Sequence, residues 1–314
     1  MNTQQRPVKL GAAFKDYLWG GTKLKTEFNK KSDLEKVAES WELSVHKDGE
    51  SIVLDGDFAG KKLSEYIKEN SCDVLGKNPK KFDFFPILIK FIDAKDNLSV
   101  QVHPDDEYSL KNNGEYGKTE MWYILDCDEG AELFYGFKKE ITKEEFKKRI
   151  EENTLLEVLN SVRVKKGDVY FIEAGTVHAI GKGIVICEIQ QNSNTTYRVY
   201  DYNRKDANGN TRPLHIEQAI EVSKTQPAQN YITKSGNMLA SCKYFTVEKA
   251  LVSGENSFEI SDDCFKSVIV TDGEGELFMG DYRCEITKGD SIFIPAQNSY
   301  FCVRGNCELI ISYV

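Results

Sequence analysis

Short apolar or alternating runs recur along the whole chain, and turn residues separate them. Runs of this kind, rich in β-branched and aromatic residues, are typical of strands. The predicted strands lie in SIVLDG, FPILIKFID, LSVQVH, MWYILD, AELFYGF, DVYFI, GIVICEIQ, TTYRVYDY, KYFTVEKALV, FKSVIVTDG, GELFMG, DSIFIPA and CELIISYV. The pattern therefore predicts a mainly β protein.

Three stretches interrupt the strands with apolar residues spaced three and four apart, and this spacing predicts helices over 62–76, 143–160 and 215–224. The charged positions of 143–160 are expected to form the solvated face of an amphipathic helix.

A weak internal repeat divides the chain. ELFYG (132–136) matches ELFMG (276–280), and KKGDVYFI (165–172) matches TKGDSIFI (287–294). The first copy continues to His178, whereas the second has Tyr300 at the equivalent position. We therefore expect two similar β units, of which residues 1–235 carry the chemistry and the helical insertions and residues 236–314 lack metal ligands.

Composition excludes several classes of protein. The chain has 314 residues, with 41 basic against 50 acidic side chains, and lacks a basic stripe with interleaved aromatics, so nucleic acid is not an expected partner. No apolar run reaches the roughly 18 residues that cross a bilayer. The eight cysteines are scattered without a CxxC pair, which favours reduced thiols. These features predict a cytoplasmic protein that does not bind membranes.

Candidate metal ligands occur in three separate motifs. Strand alternation in LSVQVHP places Ser99, Gln101 and His103 on one face. Glu120 begins the next strand-like run, and His178 follows the turn EAGT. Two imidazoles with carboxylate and amide oxygens suit one Zn²⁺ per chain, with Mn, Fe or Co as alternatives. The other interpretation is that both histidines are ordinary residues with hydrogen-bond partners.

Specific motifs resemble a known family. GDVYFIEAGTVHAI resembles the second conserved motif of cupins, with Glu173 in the proline position. SVQVHPDD, GKTEMWYIL and EIQQNSNTTYRVYDYNR, together with WGGTKL and ESWELS, resemble the type I phosphomannose isomerases in their short bacterial form. The resemblance covers most of residues 7–215.

The resemblance implies two cupin-like (jelly-roll) β units and interconversion of mannose 6-phosphate and fructose 6-phosphate through an enediol. In that family a metal, usually zinc, is bound by residues that match Gln101, His103, Glu120 and His178. The small-molecule partner would then be a sugar phosphate.

Charged residues near these motifs are the catalytic candidates. Arg198 matches the active-site arginine of the family, and Lys118 is expected to share a strand face with Glu120. Glu188, a carboxylate within an apolar strand, is our candidate general base, and burial is expected to raise its pKa. Many family members have an aspartate where this chain has Asn194, which cannot ionise.

Four residues are candidates for substrate binding: Lys90, Ser99, Trp19 and Asn194. Lys90 lies in an apolar run and needs an anionic partner, either the substrate phosphate or an internal carboxylate. Trp19 can border the sugar or cap a core. The remaining histidines, His46 and His215, are expected at the surface.

Two other functions remain open. The same chemistry could act on another or an unphosphorylated sugar, or the chain could be a non-catalytic cupin that binds sugar or metal. The sequence also leaves open the native metal, the general base and whether the protein is a monomer or a homodimer.

Overall fold

The computed structural model describes residues 5–206, 208–229 and 236–314. Antiparallel strands dominate, and each run predicted as a strand contributes to one of them. The strands are β1 (Val8–Gly11), β2 (Ala13–Lys15), β3 (Glu39–Leu43), β4 (Val45–His46), β5 (Gly49–Glu50), β6 (Ile52–Val53), β7 (Ile87–Ala94), β8 (Val100–Val102), β9 (Glu120–Cys127), β10 (Glu132–Phe137), β11 (Leu159–Arg163), β12 (Val169–Ile172), β13 (His178–Ala179), β14 (Ile184–Gln191), β15 (Tyr197–Tyr200), β16 (Met238–Ser241), β17 (Thr246–Ile260), β18 (Lys266–Met279), β19 (Tyr282–Thr287), β20 (Ser291–Ile294) and β21 (Ser299–Tyr313). The mainly β prediction is confirmed.

The helices are short. They are α1 (Lys23–Thr26), α2 (Leu63–Glu69), α3 (Asp106–Asn112), α4 (Lys143–Glu151) and α5 (Ile216–Val222), with 3₁₀ turns at Gly56–Phe58, Asp73–Leu75, Asn78–Lys81 and Leu155–Glu157. The three predicted helical stretches are confirmed as α2, α4 and α5, but the first two end early. Cys72 and Asn153 adopt positive φ angles of 60° and 62°, which ends each α-helix before its 3₁₀ turn.

The first unit consists of two antiparallel sheets that face each other across a shared apolar cluster. The five-stranded sheet has the order β11-β10-β13-β8-β15, and the six-stranded sheet has the order β12-β9-β14-β7-β3-β2. Ile186 and Trp122 of the six-stranded sheet share an apolar cluster with Leu133 and Tyr135 of the five-stranded sheet. The outer face of the five-stranded sheet is covered by α4 and α5, through contacts that include Phe146.

The six-stranded sheet is buried on both faces. Along β14, Ile186 faces the five-stranded sheet, whereas Val185, Cys187 and Ile189 belong to the cluster shared with the second unit. Alternate side chains of one strand therefore serve two different interfaces. This double burial explains why IVICEIQ reads as a continuous apolar run rather than an alternating one.

The second unit is an eight-stranded sheet of order β16-β17-β21-β18-β20-β1-β6, with β19 paired to β18. Its own core contains Val268, Leu277 and Phe301. The N-terminal strands β1 and β6 complete this sheet by pairing with each other and with β20. The boundary predicted after residue 235 falls beside residues 230–235, outside the described residues, and stays a prediction.

Candidate active site and metal centre

Three predicted site residues lie side by side in the five-stranded sheet. His178 on β13 is the register partner of Gln101 on β8, which is in turn the partner of Arg198 on β15. Gly175 makes the turn before β13 with a φ of 87°, and an added Cβ would lie 2.9 Å from the carbonyl oxygen of Val222. The glycine in EAGT is therefore required to bring His178 into the sheet.

Backbone carbonyls fix both candidate histidine ligands. Nδ1 of His103 lies 2.8 Å from the carbonyl oxygen of Thr195, and Nδ1 of His178 lies 2.8 Å from that of Thr176. Since a carbonyl can only accept, each Nδ1 carries the proton and each Nε2 keeps its lone pair. Both rings are buried, and their centroids are 4.9 Å apart.

The facing six-stranded sheet supplies the acidic and basic groups. Glu188 on β14 is the register partner of Lys90 on β7 and of Trp122 on β9. The indole nitrogen of Trp122 donates to Oε1 of Glu188 at 3.1 Å. Glu120 begins β9 two residues before Trp122, opposite Gln190. Strand pairing thus places two carboxylates on the wall opposite the histidines.

Ligand atoms of His103, Glu120 and His178 all lie within 4.8 Å of one another. Nε2 of His178 is 3.3 Å from Oε1 of Glu120, and Nε2 of His103 is 3.8 Å from Oε2. Ligands about 2.1 Å from a tetrahedral ion are about 3.4 Å apart, so the spacing fits a divalent metal. Oε1 of Glu120 is buried without a hydrogen-bond donor among the described residues, and a cation would satisfy it.

Gln101 lies next to this triad. Its amide nitrogen is 3.4 Å from Nε2 of His178. Because the two ends of a side-chain amide are assigned from the hydrogen bonds around them, the oxygen fits the same position. All four predicted ligands therefore gather in one place.

Burial keeps both imidazoles neutral. It lowers the pKa of His178 to about 4, and the positive charge of Lys118 adds to the effect. Burial likewise lowers the pKa of His103 well below its usual value, with Lys118 and His178 contributing. Neutral imidazoles are the form that binds metal.

The pKa of Glu188 departs from the sequence-based prediction. Burial alone would raise it, but the ammonium groups of Lys118 and Lys90 outweigh burial, and the pKa of Glu188 is lowered. Their nitrogens lie 3.7 Å from Oε1 and 3.8 Å from Oε2. The predicted rise was therefore wrong, and Glu188 is ionised at neutral pH. The pKa of Glu120, in contrast, is raised by burial and by the charge of Glu188.

Lys90 has internal carboxylate partners. Its side chain is 4% exposed, and its nitrogen lies 3.4 Å from Oε2 of Glu39 and 4.6 Å from the ring centroid of Trp41. With Glu188 on the other side, this ammonium group already faces two carboxylates. The internal-carboxylate alternative for Lys90 accounts for its burial without a bound phosphate.

A cavity of about 330 Å³ opens beside the triad between the two sheets. Its walls include the predicted catalytic and substrate-binding residues and one ligand candidate: Trp19, Lys90, Ser99, Gln101, Lys118, Glu188, Asn194 and Arg198. Trp19 both lines the cavity and belongs to the apolar cluster between the sheets, so its two interpretations are compatible. Nε of Arg198 donates to Oγ of Ser99 at 3.2 Å.

Sequence reasoning missed three ionisable residues of the cavity wall, Glu39, Tyr17 and Arg212. Glu39 occurs in ESWELS, so the resemblance contained a signal for it. Arg212 donates from Nε and Nη2 to the carboxylate of Asp201 at 2.8 and 2.6 Å, and no motif indicated that it reaches the cavity.

The histidines left out of the ligand set differ from expectation. His46 was predicted at the surface, but its side chain is only 6% exposed, so that prediction was wrong. His215 is half-buried, and its Nδ1 accepts from the backbone nitrogen of Arg198 at 3.3 Å. Tyr300, at the repeat position of His178, is exposed.

The fold and site together define a two-unit cupin enzyme with a buried triad that can hold a metal. Two family models match the chain. "Phosphomannose isomerase type I, catalytic domain" matches residues 8–133, and "Mannose-6-phosphate isomerase, cupin domain" matches residues 235–314.

Full-length relatives agree. The chain is 40% identical to mannose-6-phosphate isomerase ManA of Bacillus subtilis over 320 residues, covering 98% of this chain and 99% of the relative. It is 38% identical to the mannose-6-phosphate isomerase of Streptococcus mutans, covering 98% of each. A crystal structure of mannose 6-phosphate isomerase from Bacillus subtilis superposes with a TM-score of 0.90 and 37% identity, covering 99% of this chain and 100% of that one. The chain belongs to the type I phosphomannose isomerase family, which confirms the resemblance.

No helix in the described ranges is long and apolar enough to cross a membrane.

Proposed function

We propose that the protein interconverts mannose 6-phosphate and fructose 6-phosphate through an enediol, with one zinc ion per chain. The observation that carries the proposal is the buried Glu120 oxygen without a hydrogen-bond donor, facing two neutral imidazoles beside the ionised Glu188. The names of the full-length relatives support the choice of substrate.

His103, Glu120, His178 and Gln101 would hold the metal. When bound there, a divalent cation withdraws electron density from the oxygens of the open-chain sugar and lowers the energy of the enediolate. When Glu120 is ionised, as metal binding requires, three carboxylates (Glu39, Glu120 and Glu188) against two ammonium groups (Lys90 and Lys118) leave the buried groups one negative charge in excess. A divalent cation reverses that sign, which suits an anionic intermediate.

Glu188 is the proposed general base. Its Oε1 is held by Trp122, and its buried Oε2 has no hydrogen-bond partner in the described part of the chain. In the forward direction it takes the proton from C2 of mannose 6-phosphate, and the C–H electron pair forms the C1–C2 double bond while the carbonyl electron pair moves to O1. After the proton on O2 has moved to O1, the electron pair on O2 forms the new C2 carbonyl, and the C1–C2 double-bond pair takes the proton from Glu188 onto C1 to give the ketose.

Lys118 is the proposed carrier of the proton that moves between O2 and O1 of the sugar. The reaction also moves a proton from O2 to O1, and Lys118 lines the cavity between Glu120 and Glu188. Burial alone would lower the pKa of Lys118, but Glu120 and Glu188 raise it, so the ammonium form is present to donate.

Arg198 and Arg212 are the proposed seat of the substrate phosphate. Both line the cavity, and Arg212 is bonded to the carboxylate of Asp201. Arg198 is bonded to the neutral groups of Ser99 and Pro213, and among the described residues no carboxylate forms an ion pair with it. Lys90 is less suitable, since a phosphate there would meet Glu39 and Glu188. Asn194, Ser99 and Trp19 would contact the sugar.

A coupled assay tests the proposal. The protein is stripped of metal with a chelator and assayed with mannose 6-phosphate, with unphosphorylated mannose, and again after zinc is restored. We expect activity with the phosphorylated sugar to disappear and return with zinc. Unchanged activity after metal removal would refute the metal role, and preference for mannose would refute the substrate.

A variant separates catalysis from metal binding. Glu188→Gln should abolish exchange of solvent protons into the sugar while zinc content stays at one per chain. The matched control is Glu221→Gln on α5, whose carboxylate contacts Tyr108 away from the cavity. Normal proton exchange in Glu188→Gln would remove Glu188 from the mechanism.

The proposal includes a cytoplasmic location. All eight cysteines are free thiols, which is usual for proteins of reducing compartments.

A further inference from the structure

His46 is buried rather than exposed, and hydrogen bonds connect it to the candidate metal ligand His103. The edge of its ring packs on Trp41 with centroids 5.8 Å apart. Nδ1 of His46 accepts from the backbone nitrogen of Asp48 at 3.1 Å, so Nε2 carries the proton and donates to Oε2 of Glu115 at 3.0 Å. The turn 46–48 is therefore joined to the loop that precedes β9.

Glu115 continues the chain of hydrogen bonds toward the site. Its Oε1 accepts from the hydroxyl of Thr195. The carbonyl oxygen of the same threonine accepts from Nδ1 of His103 at 2.8 Å. His46, Glu115, Thr195 and His103 thus form one continuous path from a peripheral turn to a candidate metal ligand.

A second contact joins the same two segments. The side-chain amide of Asn194 donates to Oδ2 of Asp48 at 2.8 Å. The turn 46–48 therefore contacts residues 194 and 195 at two adjacent points, directly and through Glu115. Both contacts hold the backbone of residues 194 and 195 against the turn 46–48.

We propose that His46 and Glu115 form a positioning pair, which holds the Thr195 carbonyl against His103 and thereby sets the orientation of that imidazole for metal binding. The inference rests on the metal site of the proposed function. A metal-bound imidazole depends on the acceptor at its other nitrogen, and loss of such a partner typically lowers metal affinity by about 10- to 100-fold.

The sharpest variant is Thr195→Val. It removes the hydroxyl that contacts Glu115 but keeps the side-chain shape and the carbonyl that accepts from His103. Thr246→Val is the matched control, because it removes a hydroxyl contact with Ser241 in the second unit. Two further variants divide the role of His46: His46→Phe keeps a ring against Trp41 without the hydrogen bond, and His46→Gln restores a donor to Glu115.

The measurement is zinc affinity, obtained by titrating metal-free protein with zinc against a chromophoric chelator. Because both variants keep the Thr195 carbonyl and lose only its support, we expect Thr195→Val and His46→Phe to bind zinc more weakly by up to about 10-fold. His46→Gln should recover most of the affinity, and Thr246→Val should match the wild type. Thermal unfolding of the metal-free proteins identifies variants that simply fail to fold. If Thr195→Val fails to fold, the comparison of His46→Phe with His46→Gln tests the inference.

The outcomes separate the two proposals. Wild-type protein that binds no zinc would refute the proposed metal site. Wild-type binding with unchanged affinity in folded Thr195→Val and His46→Phe would overturn the positioning pair alone. In metal-free protein, the NMR signal of the His103 Nδ1 proton provides an independent readout, since it should exchange faster with water in both variants, and equal exchange rates would also overturn the inference.

Discussion

The ammonium nitrogen of Lys118 lies 2.5 Å from Oε2 of Glu120, in a buried position beside the candidate histidine ligands. The same nitrogen is 3.2 Å from Nε2 of His103. A lone pair on Nε2 cannot accept from Lys118 and bind a metal at once. Lys118 and the proposed metal therefore compete for the same ligand atoms, and two cations this close repel each other.

Lys118→Met should consequently bind zinc more tightly while losing activity. Two unit charges 4 Å apart repel each other by about 4 kcal/mol at an effective dielectric constant of 20. Relief of only a third of that repulsion would strengthen zinc binding about tenfold. Loss of the proton carrier should lower kcat by about 100-fold or more. Chelator competition and the coupled assay measure the two quantities. Lys118→Arg keeps the charge and should bind zinc like the wild type; a weaker affinity in Lys118→Met would contradict the competition.

Arg212→Gln should weaken binding of the phosphate without removing the chemistry. A hydrogen bond to a charged group contributes about 1.5–3 kcal/mol, so KM for mannose 6-phosphate should rise by about 10- to 100-fold with a smaller change in kcat. Inhibition by inorganic phosphate should weaken in parallel. Asp201 keeps its contact with Arg204, which preserves the local fold.

The control for this variant is Arg163→Gln, which removes the same charge from a side chain that is 83% exposed on β11. Its KM should equal that of the wild type. An equal rise of KM for unphosphorylated mannose and mannose 6-phosphate in Arg212→Gln would show that Arg212 acts on the sugar rather than on the phosphate.

The buried pair Lys30–Glu42 should be important for stability. Nζ of Lys30 lies 2.6 Å from Oε2 of Glu42, and the carboxylate is completely buried. Lys30→Met leaves a buried charge unpaired and should lower the free energy of unfolding by about 3–5 kcal/mol. Adding Glu42→Gln should recover part of the loss, because the neutral amide still accepts from Ser40. Urea unfolding measures both, and a double variant as unstable as Lys30→Met would contradict the charge argument.

Glu308 should make stability depend on pH. Burial alone would raise its pKa, but hydrogen bonds from Lys249, Tyr123 and Thr271 outweigh burial and lower it. In the acidic range the unfolded chain therefore binds more protons than the folded one, so this contribution is complete above the unfolded pKa and is lost as pH falls through the folded pKa.

Glu308→Gln should accordingly lower the free energy of unfolding by roughly 1–3 kcal/mol at neutral pH. The difference from the wild type should shrink as pH falls, since the wild-type carboxylate becomes protonated. Urea unfolding at a series of pH values measures this change. A difference that grows toward low pH would contradict the direction of the pKa shift.

Local patterns predicted most of the regular structure. The strand runs and the helices α2, α4 and α5 have a hydrophobic periodicity that reflects burial. Helix α3 was missed because its sequence, DEYSLKN, has no apolar periodicity and buries only Ser109. Its start depends instead on the carboxylate of Asp105, which accepts from the backbone nitrogen of Tyr108. The pairing of β1 with β20 joins residues far apart in sequence, which no local pattern reports.

The candidate metal ligands were predictable from the sequence, but the electrostatics of the site were not. Strand alternation and the motifs brought Gln101, His103, Glu120 and His178 together. The direction of the Glu188 pKa shift was missed because it depends on which lysines face the carboxylate, and the register of Glu188 with Lys90 is a property of the assembled sheet. His46 was misplaced for a similar reason, since its partner Glu115 is 69 residues away.

The double burial of β14 also limits how the chain can change in length. A single residue inserted just before Cys187 would shift the pairing by one, turning Glu188 toward the second unit and presenting a thiol to the sugar. Packing against the five-stranded sheet and packing against the second unit would be lost together, because β14 contributes side chains to both interfaces. Insertions and deletions among related chains should therefore concentrate in the connecting loops, while the spacing between the paired strands stays constant.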